Sequence, residues 1–252
     1  MSFDVAADSY DRFMGRYSAP LAPKLADLAG IKPGQRVLDV GCGPGALTAE
    51  LVRRVGAANV EAVDPSERFV DAIRERIPDV EVQQASAEEL PFRAESFDVA
   101  LAQLVVHFMS DPVAGLREMR RVTRTGGVVA ACVWDLSGSR SPLSVYWQAV
   151  HSLHPEAQDE SSLPGSREGQ LAELFEAAGL SVVEDTDLSV SVEHPSFEEW
   201  WEPYTFGVGP AGSFIRKLDD AQRAEIREAC RALLPPAPFT LTVIAWAVSA
   251  KP

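Results

Sequence analysis

The 252-residue chain is short of several things, and each shortage excludes a class of protein. It has three cysteines, Cys42, Cys132 and Cys230, with neither even pairing nor Cys-x-x-Cys spacing. A disulfide framework is excluded, and a reducing compartment fits. Its His, Cys and acidic residues show no metal-ligand spacing, so no metal is expected. No apolar run approaches the ~18–20 residues of a membrane-crossing helix. The longest, around 241–250, has the length of a strand, and the start shows no basic–apolar signal pattern. A cytoplasmic protein without a membrane partner is the expectation. Basic residues are scarce as well, 23 Lys and Arg against 37 Asp and Glu, for a net charge of −14. Broad nucleic-acid binding would be opposed electrostatically. Internal repeats and low-complexity segments are absent.

What the chain does have begins with enough apolar content, 46%, to bury a full core in one elaborated domain. Residues 37–45 read Val-Leu-Asp-Val-Gly-Cys-Gly-Pro-Gly. Gly41, Gly43 and Gly45 follow Val37-Leu38 and Asp39, which predicts a buried strand entering a tight turn, with a helix from about Ala46. Glycine there permits positive φ and lets a ligand approach with no Cβ in the way. The helix start beyond supplies free N–H groups and partial positive charge. Gly41-Cys42-Gly43-Pro44-Gly45-Ala46 also satisfies the dinucleotide fingerprint, Ala46 replacing its last glycine. A second run, Val60-Glu61-Ala62-Val63, ends in Asp64, 19 residues beyond Gly45, where a carboxylate can accept two hydrogen bonds from a ribose diol. Asp64 can equally be a helix-capping acid before Pro65-Ser66. NAD and other adenosine-bearing cofactors fit these two features alike.

Later segments separate the readings. Residues 85–92 are Ala-Ser-Ala-Glu-Glu-Leu-Pro-Phe, followed by Ser96-Phe97-Asp98-Val99; then come Ala102-Gln103-Leu104-Val105-Val106-His107 and Arg121-Val122-Thr123-Arg124-Thr125-Gly126-Gly127. With the glycine turn and Val63-Asp64-Pro65-Ser66, these five ordered segments make residues 35–135 resemble the class I S-adenosylmethionine-dependent methyltransferases. The small-molecule group containing the ubiquinone and menaquinone biosynthesis enzymes is the most similar. Two positions depart from the family pattern. Ser86 replaces a usual Asp, moving the hydrogen bond to the adenine amino group onto Ser86 or backbone. Thr125 replaces a usual proline before the Gly-Gly turn.

The resemblance implies an α/β fold: a doubly wound, mostly parallel, seven-stranded Rossmann-like sheet with its last strand antiparallel and a helical substrate cap. Residues 1–30 would be N-terminal lid helices, 31–135 the cofactor-binding core, 136–177 and 193–238 cap elements, and 178–192 and 239–250 the final strands. Local patterning fits that plan. Helical signals occupy 19–29 and 45–55. Ser66 reads as the N-cap of a helix burying Phe69, Val70, Ile73 and Ile77. Apolar runs at 79–83, 97–102 and 127–134 read as strands. Asp111-Pro112 starts a helix that turns Leu116, Met119 and Val122 inward. A helix at 167–178 and a strand at 180–192 precede the last strand, 239–249. The 46 residues 193–238 far exceed a hairpin turn and must form a folded insertion. It contains a helix from Asp219, with Gln222 placed for a capping box and Ile226, Cys230 and Leu233 as its apolar stripe.

By the same resemblance the cofactor is S-adenosylmethionine, with S-adenosylhomocysteine as product. Gly41, Gly43 and Gly45 would pass under its methionine part and Asp39 would sit near the amino group. Asp64 would hold the ribose hydroxyls with Pro65 beside it. Ser86, Ala87 and Glu88 would flank adenine, Gln103 would lie beside the methionine moiety, and Tyr17 would close over it. Cys42 is common at its place in the family and is not used covalently. Tyr10, Trp134, Trp147, Trp200, Trp201 and Tyr204 are the expected acceptor-pocket residues. Adjacent Trp200 and Trp201 cannot share one helix face: either one lines the pocket, or both are structural. Should the acceptor need a base, His107 is first choice, at the strand edge where open sheets bind ligands, and His151 second; His154 and His194 read as loop residues. The expected activity is in-line methyl transfer to a small organic acceptor, at oxygen or carbon, by a monomer or homodimer that binds no nucleic acid. An NAD(P)-dependent oxidoreductase and a non-catalytic S-adenosylmethionine-binding protein are the alternatives.

Overall fold

The computed structural model describes residues 7–252; residues 1–6 of the expected N-terminal lid lie outside the described residues. The chain opens with α1 (Ala7–Tyr10), a π-helical turn at Asp11–Gly15 and α2 (Arg16–Leu28). Then follow β1 (Val37–Val40), α3 (Ala46–Val55), β2 (Val60–Asp64), α4 (Glu67–Arg76), β3 (Glu81–Gln84) and β4 (Phe97–Gln103). Next are α5 (Pro112–Val122), β5 (Thr123–Trp134), α6 (Ser144–Leu153), α7 (Gln170–Ala177) and β6 (Ser181–His194). The helices of the expected cap, α8 (Phe197–Trp201), α9 (Gly209–Ile215) and α10 (Asp220–Leu233), lead into β7 (Phe239–Lys251).

The strands form one sheet in the order β3-β2-β1-β4-β5-β7-β6. The pairs from β3 through β5 are parallel, while β7 runs antiparallel to both β5 and β6. Successive residues of the central strands enter opposite cores, which is the period-two rule of a doubly covered sheet. Val37, Val99, Leu101, Ala130 and Cys132 pack with α2, α3 and α4. Leu38, Ala100, Ala102, Ala131 and Val133 pack with Leu116 and Met119 of α5 and Leu171 and Phe175 of α7. Strand order reverses between β1 and β4, so their C-terminal ends leave a crevice between the first α/β crossovers.

Caps expected from local chemistry form at two helices. Asp111 accepts the Ala114 N–H with Pro112 in the first turn, and Asp219 and Gln222 complete a reciprocal capping box. Ser66 differs: it occupies the N-cap position of α4, but its side chain makes no capping bond, and its N–H donates to Asp64 Oδ1 at 2.8 Å. Helix α2 starts at Arg16, earlier than expected, and continues through Pro20 and Pro23. Each proline removes a helix hydrogen bond, and buried Leu21, Ala22, Leu25 and Ala26 hold the helix on the sheet instead. Leu233 leaves the α10 stripe and is 42% exposed. Thr125 explains its own departure from proline: its N–H and hydroxyl both donate to Glu95 Oε1, which a proline nitrogen could not do.

Residues 197–233 fold as a lobe above the sheet edge. Tyr146 stacks on Tyr204 with centroids 4.6 Å apart, and the Tyr146 hydroxyl donates to the Ala211 carbonyl. Trp200 and Trp201 are both buried, and each packs on both Phe197 and Tyr204: Trp201 stacks on the two rings, whereas Trp200 is tilted against them. Residues 155–165 are tied down by Asp159–Ser161 and Ser166–Ser161 bonds, and Glu160 is buried there, its carboxyl pushed up to about 7 chiefly by burial.

Candidate cofactor site

The C-terminal ends of β1, β2 and β4 open onto a cavity of about 570 Å³. That size falls within the ~300–1,000 Å³ of small-molecule sites. Its walls include Asp39, Gly41, Gly43, Asp64, Pro65, Ser86, Ala87, Glu88 and Gln103, together with Tyr10. These positions, drawn from four separate strands and turns, were all expected to serve the ligand.

The glycine turn is shaped by close approach. Gly41 has φ of +71°, and a Cβ on it would lie 2.5 Å from both methyls of Val105. Val105 is delivered there by Leu104, whose own φ of 61° bends the chain as it leaves β4. A bulky residue in that region is strained by ~1–3 kcal/mol, a cost that clusters at functional sites. Gly43, at φ +53°, faces open space. Gly45 does not reach the cavity wall: at φ +102° it precedes α3, and its Cα side packs toward Ile73 of α4. The N–H groups of Gly41 and Cys42 both donate to the Val63 carbonyl, and that of Gly43 donates to Asp64 Oδ2 at 2.9 Å.

Charge in the site is negative and partly uncompensated. Asp39 is 1% exposed; Oδ2 accepts the Thr48 hydroxyl at 2.7 Å, while Oδ1 has no partner among the described residues. Burial, reinforced by neighbouring Asp64, pushes its carboxyl up to about 7, against the opposing Thr48 bond. Asp64 is also raised by burial, its two N–H bonds pulling the other way. Each of its oxygens has a second lone pair available. Burial first, then Asp39 and Asp64, push the Cys42 thiol up, so it is not a thiolate nucleophile. Gln103 donates its Nε2 to the Ser18 carbonyl, which ties β4 to α2, and its buried Oε1 has no partner among the described residues. Glu88, although burial opposes it, is held low by the Ser86 hydroxyl and by the N–H groups of Ser110 and Asp111, so it braces the loop after β4.

Other expected site residues lie elsewhere. His107 is buried behind the wall, with Nδ1 unpartnered among the described residues, and burial drives its pKa down to about 3. An imidazole that binds protons only at such pH is a poor base at neutrality. His151 lies in α6, away from the cavity: its ring lies against Trp147, and Nε2 is 3.1 Å from the Ala157 carbonyl. Trp134, Trp147 and Trp201 are packed in the core, outside the cavity wall. Tyr17 is buried off the wall, and its hydroxyl meets His194. Trp200 and Tyr204 line a separate cleft beside Tyr17.

Sequence reasoning missed several wall residues. Phe69 reads as helix core yet forms an aromatic side with Tyr10, ring centroids 5.5 Å apart. Phe108 and Met109 line the cavity too; their one signal was their position just past Gln103. Ser18 gave none, being one polar residue of an amphipathic helix. Among the described residues no cluster of His, Cys, Asp or Glu could hold a metal, and no helix is long and apolar enough to cross a membrane.

Comparison with known proteins adds the chemistry usual on this scaffold. The methyltransferase-domain family matches residues 38–131. An uncharacterized methyltransferase of Mycobacterium tuberculosis is 36% identical over 140 residues, 56% of this chain and 54% of that protein. Demethylmenaquinone methyltransferase of a Mycobacterium species is 34% identical over 167 residues, 61% of this chain and 71% of that protein. The structure of geranyl diphosphate methyltransferase in complex with S-adenosylmethionine shares the fold at a TM-score of 0.55 and 16% identity, over 94% of this chain and 86% of that one. The match spans about half the length of several curated relatives.

Proposed function

Since the chain belongs to the class I S-adenosylmethionine-dependent methyltransferases, we propose that it transfers a methyl group from that cofactor to a small organic acceptor, at oxygen or carbon. Asp39 carries the reading. A wholly buried carboxylate with one unpartnered oxygen, on the wall of a ligand-sized cavity, calls for a cation. S-adenosylmethionine has two positive groups, an ammonium and a sulfonium, on the part that the glycine turn would carry. Asp39 and Gln103 Oε1 would receive the ammonium, and Asp64 would accept the ribose hydroxyls with its remaining lone pairs. Tyr10 and Phe69 would close the cavity side.

When bound, the cofactor supplies an activated methyl group. The protein's share is to align the acceptor with it and keep water out; orientation alone is worth ~7–11 kcal/mol in favourable cases. The same electrostatics disfavour NAD(P). Its anionic pyrophosphate would face Asp39 and Asp64, and the N–H groups of Gly41, Cys42 and Gly43 are already engaged by β2.

Calorimetric titration with S-adenosylhomocysteine and with NAD tests this, using Asp64→Ala as control. The expected result is micromolar binding of S-adenosylhomocysteine alone, weakened at least ~10-fold in Asp64→Ala by the loss of ~1.4 kcal/mol or more. Binding of NAD in its place would overturn the proposal.

A further inference from the structure

His194 ends β6, and its side chain is fully buried among polar partners that no part of the cofactor site uses. Its Nδ1 is 2.9 Å from Glu199 Oε2, and its Nε2 is 2.9 Å from the Tyr17 hydroxyl. Arg16 pairs with the other oxygen of Glu199 and lies 3.2 Å from Nδ1. A carboxylate only accepts and a guanidinium only donates. The shorter contact therefore assigns the proton to Nδ1, which donates to Glu199, and leaves the Nε2 lone pair to accept from Tyr17. Hydroxyl, imidazole and carboxylate then stand in the order of a catalytic triad, with a phenol at the head. On the remaining side the ring of Phe239 packs at 5.3 Å and brings no charge.

Position adds to this geometry. Tyr17, His194, Trp200 and Tyr204 line one cleft between α2 and the cap, closed here to about 10 Å³, room for about one water. Its other walls include Phe13 and Met14, so the lining is apolar and aromatic apart from the relay and Arg16. The next residue along, Ser18, lies on the cofactor cavity wall and accepts from Gln103. Tyr17 thus stands between the two spaces, its ring 6.4 Å from that of Trp134 at the end of β5.

We propose that this cleft is the acceptor subsite, that Tyr17, His194 and Glu199 are its proton relay, and that the acceptor is a planar apolar molecule bearing a weakly acidic hydroxyl, a phenol or an enol. The inference rests on the methyltransferase reading. The acceptor enters when α2 and the cap part, which breaks the half-exposed Arg12–Glu202 pair and the Phe13–Tyr204 edge contact. Its hydroxyl passes a proton to the Tyr17 oxygen while the Tyr17 proton passes to Nε2. Burial, the largest influence, and Arg16 lower the His194 pKa, and Glu199, a counter-charge that His107 does not have, opposes them by facing the imidazolium. The freed oxygen pair forms the bond to the transferred methyl carbon. The methyl–sulfur bond breaks with its electrons left on sulfur, and His194 returns its proton to solvent when the cleft reopens. Tyr17 touches the acceptor; His194 and Glu199 act through it and are positioning residues.

The test titrates the full chain, saturated with S-adenosylhomocysteine, with p-nitrophenol, and follows the phenolate absorbance against pH. Wild type is compared with Tyr17→Phe, His194→Gln and Glu199→Gln, and S-adenosylhomocysteine binding serves as the folding control for each. Glu199 is partly exposed, so its isosteric replacement guards against a misfolded His194 variant. The expected result is that wild type raises the phenolate-to-phenol ratio of the bound probe about tenfold over free probe, one pKa unit. The rise vanishes in Tyr17→Phe and His194→Gln and shrinks in Glu199→Gln; a merely structural cluster would leave the probe's ionisation unmoved. Failure of the loaded wild type to bind the probe, or equal ionisation in wild type and variants, overturns the subsite. Failure of S-adenosylhomocysteine to bind at all instead removes the methyltransferase reading on which the subsite rests.

Discussion

Replacing Asp39 by asparagine separates what the fold needs from what a ligand needs. The folded-state pKa of Asp39 is about 7 against an ordinary 3.8, with burial as the largest cause. The folded state therefore holds a proton that the unfolded chain releases between those two pH values. Stability falls as pH rises from about 4 to 7 and is flat above, the sign expected when the native state binds more protons. Three pH units at about 1.36 kcal/mol each set an upper bound of ~4 kcal/mol on the cost of ionised Asp39 in the ligand-free protein. The asparagine amide keeps the shape and the Thr48 bond without the charge. Urea unfolding of wild type and Asp39→Asn at pH 4 and pH 8 measures the difference. The variant should gain ~1–4 kcal/mol relative to wild type on going from pH 4 to pH 8. The gain should come with weaker S-adenosylhomocysteine binding, by ~10-fold or more, because a charge-assisted bond to the ammonium is lost. Wild-type binding should tighten as pH rises toward 7 and release a proton, seen as a buffer-dependent calorimetric heat. A stability difference independent of pH, or unchanged affinity in the variant, refutes the assignment of Asp39 as a buried counter-charge.

Two further outcomes follow from packing and burial. Gly41→Ala should destabilise by ~2–4 kcal/mol, since its Cβ meets Val105 at 2.5 Å in a left-handed conformation; adding Val105→Ala should recover part of the loss in urea midpoint, and an unshifted midpoint in the single variant refutes the close-contact account. His107 has a folded pKa of about 3, below its ordinary 6.5, so its share of stability is present above 6.5 and is lost as pH falls toward 3. His107→Met should flatten that acid limb in unfolding experiments between pH 7 and pH 4 while leaving S-adenosylhomocysteine affinity within about twofold; parallel limbs would show that His107 is not buried neutral.

The Rossmann-like core was legible because its signals are local. Short apolar runs, the glycine turn and the Asp111–Pro112 and Asp219–Gln222 caps each depend on residues a few positions apart. Ordered motifs at the carboxyl ends of β1, β2, β3 and β4 were enough to collect nine wall residues, because a parallel sheet brings those ends to one edge. Ser66 failed as a side-chain cap for a reason that spacing does not show: Asp64 takes its N–H while also holding Gly43. His107 followed the right strand, but the turn at Leu104 places Val105 over Gly41 and leaves the histidine sealed in the core.

By itself, the sequence determined the apolar runs that become strands, the turn that needs glycine, and the acids at or next to the ends of β1 and β2, all consequences of neighbour-to-neighbour sterics and local apolar content. Only the tertiary structure decided which aromatic residues of the cap face a cleft and which fill the core, since the aromatic stretch before α10 carries no spacing rule for its inward side. It alone also brought Tyr17 to His194 across 177 residues and set Glu199 behind them. Such a contact exists only because α2 crosses the sheet edge where β6 and the cap rise above it, and no local pattern in the chain encodes that crossing.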